Sequence, residues 1–181
     1  MLRLTLSLAL FLAASTAAAD QRDKRLDSLF ESLGKTERTD QTHGVQAKIW
    51  AVWIESRDDE TNRLMDLGIA AMRAHDLGLA LRRFDEVVLH EPDFAEGWNK
   101  RATVNFLIGD FASSVDDIKR TLALEPRHFG ALSGLGMIYD RVGEKSGALK
   151  AFEKALKINP HLPGVRERIE QLTKDLSSRR I

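Results

Sequence analysis

Three prolines stand at equal intervals in the chain, and this spacing restricts the possible folds more than any other sequence feature. Pro92, Pro126 and Pro160 are 34 residues apart, and a leucine or isoleucine lies two or three positions before each of them. A proline cannot continue a helix, because it lacks the backbone N–H and its ring collides with the preceding turn. The spacing therefore predicts three helical units of one length, each closed by a proline.

Large and small side chains also recur at fixed distances before the prolines. Small residues let two antiparallel helices cross closely, and large residues fill the space beside the crossing. A turn signal lies between the two helices of each unit, where glycine can end a helix. The recurring positions are Leu64, Trp98 and Leu132; Gly68, Ala102 and Gly136; Ala80, Ser114 and Ala148; Phe84, Ile118 and Phe152; and the turns at His75-Asp76, Gly109-Asp110 and Gly143-Glu144.

Residues 61 to 160 resemble the tetratricopeptide repeat (TPR) family. The third unit is the most regular, with ALSGLGMIY from Ala131 and GALKAFEKAL from Gly147. The resemblance implies an all-α fold, a right-handed superhelical solenoid of antiparallel helix pairs with capping helices at both ends. The implied TPR units are 61–94, 95–128 and 129–162.

Amphipathic segments flank the three units. Residues 163–181 are predicted to form a C-terminal capping helix, because the last unit of a solenoid cannot leave its apolar face bare. Residues 20–60 are predicted to form an N-terminal helix pair with a polar linker at Lys35–Thr42. In this pair, Trp50 and Trp53 are expected to pack against the first repeat rather than to form a ligand site.

The first nineteen residues have the pattern of a secretory signal peptide. Arg3 precedes an apolar run from Leu4 to Ala14, and three alanines stand before Asp20, as a signal peptidase requires. Cleavage near Ala19-Asp20 is expected, and an uncleaved membrane anchor is the alternative. From Leu4 to Ala19 there are sixteen residues, fewer than the roughly 20 that cross a bilayer as a helix. The absence of cysteine and of an Asn-x-Ser/Thr sequon favours a bacterial periplasm.

The second unit departs from the repeat pattern at two positions. Arg101 and Asn105 stand where the third unit has Leu135 and Tyr139, so polar groups face the interior of a helix pair. A buried charge needs a partner, and Asp117 lies on the following helix of the same unit. The sequence therefore predicts a structural ion pair between Arg101 and Asp117.

The resemblance implies that the first helix of each unit lines a concave groove. Methionine adapts its shape to different partners, so the expected partner is another protein that contributes a peptide or an amphipathic helix. The residues expected on the inner face are Asn62, Met65, Ile69, Met72 and Arg73 in the first unit, Glu96, Asn99, Thr103 and Phe106 in the second, and Ser133, Met137, Asp140 and Arg141 in the third.

Other functions have little support in the sequence. Family members that grip a terminal carboxylate have lysine, asparagine and arginine where this chain has Met65, Ile69, Gly130 and Gly134, so no carboxylate clamp is expected. The five histidines lack metal-ligand spacing and are expected at the surface. No catalytic motif, cofactor, metal or small-molecule substrate is expected. The 27 basic side chains equal the 27 acidic ones and form no stripe, so no nucleic acid is expected either.

Two classes of function follow from this reading. The first is an adaptor, scaffold or chaperone of the cell envelope that holds a client segment in the groove. The second is a structural subunit that self-associates or joins a larger assembly, with the groove filled by the chain's own N-terminal helix, residues 21–34. Contact with a membrane is expected only through an uncleaved signal.

Overall fold

A computed structural model of the chain describes residues 21–36 and 39–178, without the side chains of residues 39 and 40. The predicted signal peptide and residues 179–181 lie outside this part. The described residues form α-helices and no strand, which confirms the all-α fold. The helices are α1 (Arg25–Lys35), α2 (Thr39–Ile54), α3 (Asp59–Arg73), α4 (Leu77–His90), α5 (Ala95–Ile108), α6 (Phe111–Leu124), α7 (Phe129–Arg141), α8 (Lys145–Ile158) and α9 (Val165–Ser178).

Helices α3 to α8 form three antiparallel pairs that stack into a solenoid. α3 packs against α4, α5 against α6 and α7 against α8, and successive pairs meet where α4 contacts α5 and α6 contacts α7. α9 covers α8 at the end of the stack and buries Leu172 there. Each pair is thus stabilised by its neighbours, as in other repeat proteins. No helix in the described part of the chain is long and apolar enough to span a membrane.

The turn inside each pair uses a left-handed backbone conformation. The φ angles are 59° at His75, 85° at Gly109 and 83° at Gly143, so the first unit alone places a side chain at this position. Asp76 and Asp110 then cap the following helices by accepting hydrogen bonds from the backbone N–H groups of Leu79 and Ser113. The three turns therefore share one backbone geometry. Its conformational strain is largest at His75, because glycine adopts positive φ angles without a steric penalty and histidine does not.

Replacing His75 with glycine should raise the free energy of unfolding by about 1 kcal/mol, because an L side chain is strained in the left-handed region. Equilibrium urea unfolding followed by circular dichroism measures the change. The control is Ala70→Gly at an exposed position inside α3, which should lower the free energy by about the same amount. A destabilised His75→Gly variant would contradict the prediction.

Glycine is needed where the two helices of a pair cross. A Cβ atom at Gly68 would lie 2.5 Å from Phe84 Cε1, and one at Gly136 would lie 2.5 Å from Phe152 Cε1. Both phenylalanines are buried in the cores of their pairs. The recurring pairing of a glycine with a phenylalanine sixteen positions later is thus a packing requirement.

We expect Gly136→Ala to lower the free energy of unfolding by about 1–3 kcal/mol, because the added methyl group overpacks the core at Phe152. The matched control is Gly44→Ala in α2, where nothing lies within 4 Å of the new Cβ atom. The control should be stabilising by about 0.5–1 kcal/mol. Thermal unfolding of the two variants tests the prediction, and a stabilising effect at both positions would refute it.

The N-terminal helices form a hairpin that lies across the beginnings of α5 and α7 instead of extending the stack. The Gln21 side chain donates to the Asp93 carbonyl oxygen at 2.6 Å and accepts from the Ala95 N–H at 3.2 Å. Farther along, the Gln46 side chain donates to the Asn159 side-chain oxygen at 3.2 Å. Asp27 of α1 also pairs with Arg127 at 2.7 Å, so the hairpin contacts all three loops that follow the repeat units.

Two sequence-based expectations about this hairpin were wrong. Trp50 and Trp53 pack with His128 and Phe129 at the start of the third unit, rather than against the first repeat. The reason is that α2 crosses the solenoid, so that only its last residue, Ile54, joins the core of the first pair. The segment between α1 and α2 is residues 36–38, shorter than the expected linker.

Candidate functional site

An apolar slot lies between α5 and α7, the first helices of the second and third units. Thr103 is exposed at its mouth and the Met137 side chain is 48% exposed. The floor is formed by α6, which contributes Ser114 and Ile118. The side chains and glycines along the two walls are Asn99, Thr103 and Phe106 on α5 and Gly130, Gly134 and Met137 on α7.

The two glycines of α7 decide the shape of this slot. A Cβ atom at Gly134 would lie 3.6 Å from Ile118 Cδ1, an ordinary contact, so the backbone there needs no glycine. Gly134 instead keeps the slot open. A Cβ atom at Gly130 would lie 2.6 Å from Trp50 Cη2, so Gly130 gives α2 the space to close that end of the slot.

The predicted groove residues separate into an accessible and an inaccessible set. Thr103, Phe106 and Met137 line the slot and are accessible, whereas Asn99 borders it but is buried, with Nδ2 donating to Glu96. Arg73 and Arg141 are exposed at the ends of their helices, and Ser133 on α7 is half-buried with its hydroxyl donating to the Phe129 carbonyl oxygen. The open part of the groove therefore belongs mainly to the second and third units.

The first unit does not offer the accessible inner face that was expected. Met65 is 1% exposed, and Ile69 and Met72 pack against the same core together with Ile54 of α2. The Asn62 side chain bridges the backbone of Ser56, accepting from its N–H and donating to its carbonyl oxygen. The end of α2 and its connection to α3 cover this part of the groove.

Asp140 also has a different role from the expected one. Its carboxylate is bound by the Arg168 guanidinium of α9, with 2.6 Å between Arg168 Nε and Asp140 Oδ2. Side-chain hydrogen bonding to Asp140 raises the pKa of Arg168 above its ordinary value. Asp140 therefore ties the capping helix to the third unit instead of presenting a free carboxylate to a partner.

The second unit contains the Arg101–Asp117 ion pair. The Asp117 carboxylate is buried and accepts from Arg101 Nη2 at 2.6 Å and from Arg101 Nε at 3.0 Å. Asn105 Nδ2 donates to the same carboxylate at 3.0 Å, and Arg101 also contacts Asp85 at 2.9 Å. The hydrogen bonds to Asp117 raise the pKa of Arg101. Arg101 and Asn105, the two polar departures from the repeat pattern, thus both donate hydrogen bonds to the buried Asp117 carboxylate.

A buried polar cluster joins the hairpin to the solenoid, and sequence reasoning missed it. His128 is fully buried rather than at the surface, and its ring stacks on Trp53 with 4.1 Å between centroids. His128 Nδ1 accepts from the Ala131 N–H at 3.0 Å, so the neutral ring carries its proton on Nε2. Nε2 lies 2.9 Å from Glu96 Oε2 and donates to it.

Glu96 is buried, and three side chains surround its carboxylate. Lys100 Nζ lies 2.9 Å from Oε1, and Asn99 Nδ2 donates to Oε2 at 3.0 Å. Burial alone raises the pKa of Glu96, but the charge of Lys100 and the hydrogen bond from His128 outweigh burial and lower this pKa below 4.5. Glu96, expected on the inner face, is therefore a structural anion.

This lowered pKa predicts an acid-dependent stability. The contribution of the Glu96 carboxylate is complete above its unfolded-state pKa and is lost as the pH falls through the lower folded-state pKa. We expect urea midpoints of the wild type to decline below about pH 4.5, and Glu96→Gln to remove part of that decline. Glu170→Gln, at an exposed position on α9, is the control. Parallel pH profiles for wild type and Glu96→Gln would contradict the prediction.

Among residues 21–36 and 39–178, no group of three or more histidine, aspartate or glutamate side chains could hold a metal ion. The buried groups Glu96, Asp117 and His128 are engaged in the structural contacts described above, and the buried Glu125 carboxylate is paired with Arg127 at 3.0 Å. The α5–α7 slot offers unoccupied space on the inner side of the stack.

A stack of antiparallel helix pairs with an open slot between its inner helices defines a helical-repeat solenoid protein. Family models described as tetratricopeptide repeat match residues 65–116 and 130–162. A TPR repeat-containing protein of Rhizobium etli is 36% identical over 163 residues, which cover 90% of this chain and 80% of that protein. The chain belongs to the tetratricopeptide repeat family.

Further relatives and solved structures have the same repeats. Tetratricopeptide repeat protein 36 of Bos taurus is 32% identical over 104 residues, covering 55% of each chain. The first TPR of Spaghetti (RPAP3), bound to an HSP90 peptide, superposes with a TM-score of 0.63 at 18% identity and covers 65% of this chain and 94% of that one. The crystal structure of MamA gives 0.62 at 21% identity, covering 87% and 84%. At these identities the structural matches establish the fold.

Proposed function

We propose that this chain is a non-catalytic protein-interaction module that binds an apolar segment of another protein in the α5–α7 slot. The observation that carries the proposal is the slot, which Gly134 leaves open although the backbone there tolerates a side chain. Its walls combine Phe106 and Met137 with the small polar Thr103. Such a surface suits the apolar face of an amphipathic helix or an extended peptide.

Structural neighbours support binding of a peptide. The first TPR of RPAP3 is bound to an HSP90 peptide, and the TPR2B domain of yeast Sti1 is in complex with Hsp70. In this chain, however, Met65 is buried, Ile69 is half-buried and Gly130 faces Trp50. These positions supply no charge for a terminal carboxylate. The segment bound here is therefore selected by an apolar side chain rather than by its C-terminus.

Filling the slot tests the proposal without damage to the fold. Gly134→Leu places an apolar side chain over Ile118, whereas Gly134→Ala adds a single methyl group and is the matched control. Both variants replace glycine inside α7 with a residue that favours the helix more strongly. We expect a partner captured from the native source by the wild type to be retained by Gly134→Ala and lost by Gly134→Leu. Retention of the same partner by a folded Gly134→Leu variant would overturn the proposal.

We also infer that the protein is exported to a bacterial periplasm and serves there as an adaptor, scaffold or chaperone of the cell envelope. Support comes from the apolar run and the alanines before Asp20, together with the bacterial relative from Rhizobium etli. Cell fractionation followed by N-terminal sequencing tests this inference. A mature chain that begins at Asp20 in the periplasmic fraction is expected. A full-length chain in the membrane fraction would favour the uncleaved anchor, and one in the cytoplasm would exclude export.

A structural subunit remains the second candidate, because the chain covers part of its own groove. Trp50 of the hairpin closes one end of the slot at Gly130. Ile54 of the hairpin packs against the core of the first unit and covers its part of the groove. It is α2, rather than the segment 21–34, that supplies these contacts. Sedimentation velocity of the mature chain distinguishes the candidates. A concentration-dependent oligomer that is unaffected by Gly134→Leu would favour the structural subunit.

A further inference from the structure

A second depression lies on another side of the stack, between α6 and α8. It encloses about 510 Å³, within the ~300–1,000 Å³ range of ligand sites. Its apolar walls include Leu122 of α6, Leu132, Leu135 and Tyr139 of α7, and Ala151 of α8. None of these residues lines the α5–α7 slot. This surface is called the α6–α8 depression below.

The preceding junction of the solenoid shows what normally occupies such a place. Residues 34 positions earlier lie between α4 and α6, and there Trp98 takes the position of Leu132. The Trp98 ring lies under two guanidinium groups, 4.8 Å from Arg101 Cζ and 6.0 Å from Arg120 Cζ. Its indole N–H donates to the Pro92 carbonyl oxygen. The molecule thus fills this junction with its own aromatic ring, held by cations.

The α6–α8 depression keeps a cation but lacks an indole ring at the position of Trp98, and Tyr139 stands where the second unit has Asn105. Lys154 stands where Arg120 stands in the preceding junction, while Leu135 and Ala151 replace Arg101 and Asp117. The exchange removes the bulky indole ring and the buried ion pair. What is left is an open apolar hollow where the previous unit has a filled one.

Two lysines line one edge of this hollow, and a third lies beside it in the adjoining surface that shares Leu122, Leu132 and Lys154. Lys150, Lys154 and Lys157 are spaced i, i+4 and i+7 on α8, so they share one face of the helix. All three side chains are exposed, and within the described residues none of their ammonium groups makes a hydrogen bond or an ion pair. The nearby acids are Glu144, which lines one end, and Glu153 on α8. The edge of the hollow therefore carries an excess of positive charge.

We propose that the α6–α8 depression docks an acidic segment of a protein partner through an inserted aromatic side chain. The ring takes the place that Trp98 occupies in the preceding junction, against Leu122 and Leu132 and beside the ammonium group of Lys154. Aspartate or glutamate residues on either side of the ring pair with the lysines of α8. This docking site is separate from the α5–α7 slot and does not depend on the function proposed for it.

Synthetic peptides test this proposal directly. The probe is a short fluorescein-labelled peptide with one tryptophan between pairs of glutamates, measured by fluorescence anisotropy at low salt. Its controls carry lysine pairs or alanine in place of tryptophan. We expect the glutamate peptide to bind at least about tenfold more tightly than either control, and the preference over the lysine peptide to shrink as salt screens the charges.

Charge reversal supplies the matched variant. Lys150→Glu/Lys154→Glu should weaken binding of the glutamate peptide about tenfold and strengthen binding of the lysine peptide. Lys48→Glu/Lys174→Glu makes the same change in net charge at exposed positions of α2 and α9 and should leave both affinities unchanged. Because these lysines are exposed, neither double variant should alter folding. Gly134→Leu should also have no effect, which separates this test from that of the slot.

Grafting the filled junction onto the open one gives a second test. The graft variant carries Leu132→Trp, Leu135→Arg, Ala151→Asp and Lys154→Arg, the four residues of the second unit at these positions. It should abolish peptide binding while the helical circular-dichroism signal persists. Equal binding of the glutamate and lysine peptides would overturn the proposal. So would full binding by the folded graft, or binding of phosphatidylglycerol vesicles in place of the glutamate peptide.

Discussion

Asp117→Ala should lower the free energy of unfolding by about 3 kcal/mol, at the lower end of the ~3–5 kcal/mol typical for breaking a buried ion pair. The substitution removes the acceptor of both Arg101 hydrogen bonds and of the Asn105 amide. Asp85 remains 2.9 Å from Arg101 and compensates part of the loss. Equilibrium urea unfolding at neutral pH measures the change.

The neighbouring residue provides a strict control. Asp116 is paired with Lys119, but their side chains are 74% and 68% exposed, so Asp116→Ala should change the free energy by at most about 0.5 kcal/mol. The double variant Arg101→Leu/Asp117→Ala copies Leu135 and Ala151 of the third unit and should recover most of the stability. A cost below about 1 kcal/mol for Asp117→Ala, or a double variant less stable than the single one, would show that the pair is not a buried unit.

The repeat pattern explains why this pair could be predicted from the sequence. Within a 34-residue repeat, each position has a packing role that the other units reveal. Arg101 and Asn105 stand out because Leu135 and Tyr139 occupy the same positions. The crossing glycines and the turn positions were predictable for the same reason. Because the three units share one geometry, similar residue types recur at the same positions in each unit.

The hairpin could not be placed in this way, because it occurs once. The apolar stripes of α1 and α2 predict that the helices pack on something, but amphipathicity does not say which surface they cover. The local cue is Gly130, which leaves room for Trp50. As a result the sequence left two alternatives, a groove open along three units or one filled by residues 21–34, whereas α2 and its connection to α3 close the first unit.

The buried histidine could have been found from the same alignment of units. His128 stands where the other units have Phe94 and Leu162, which is an apolar position. A histidine there is expected to be buried and to need a partner for each ring nitrogen. Glu96, 32 residues earlier in the chain, could not be identified as that partner, because its position looked like part of the open groove. The hairpin packs on His128 through Trp50 and Trp53, and His128 in turn contacts Glu96.

His128→Ala should therefore have the second large effect, a loss of about 3 kcal/mol in the free energy of unfolding. The variant loses the stack on Trp53 and the cap on the Ala131 N–H, and it leaves Glu96 without one of its donors. Cavity formation and an under-satisfied buried carboxylate each contribute to a cost of this size. The loss should be largest where the hairpin meets the solenoid, so amide hydrogen exchange in α2 should accelerate together with the change in urea midpoint.

His90→Ala separates this effect from the loss of a histidine–carboxylate contact in general. His90 Nε2 lies 3.0 Å from Asp58 Oδ1, almost the same distance as in the buried pair, but both side chains are about half exposed. His90→Ala should lower the free energy of unfolding by at most about 0.5 kcal/mol and leave amide hydrogen exchange in α2 unchanged. If His128→Ala resembled the control, the hairpin would be held mainly by its apolar contacts with Phe129 and by its bonds at Gln21, Asp27 and Gln46. A large effect on α2 exchange would instead identify His128, through its contacts with Trp53 and Glu96, as a residue that fixes α2 at one end of the α5–α7 slot.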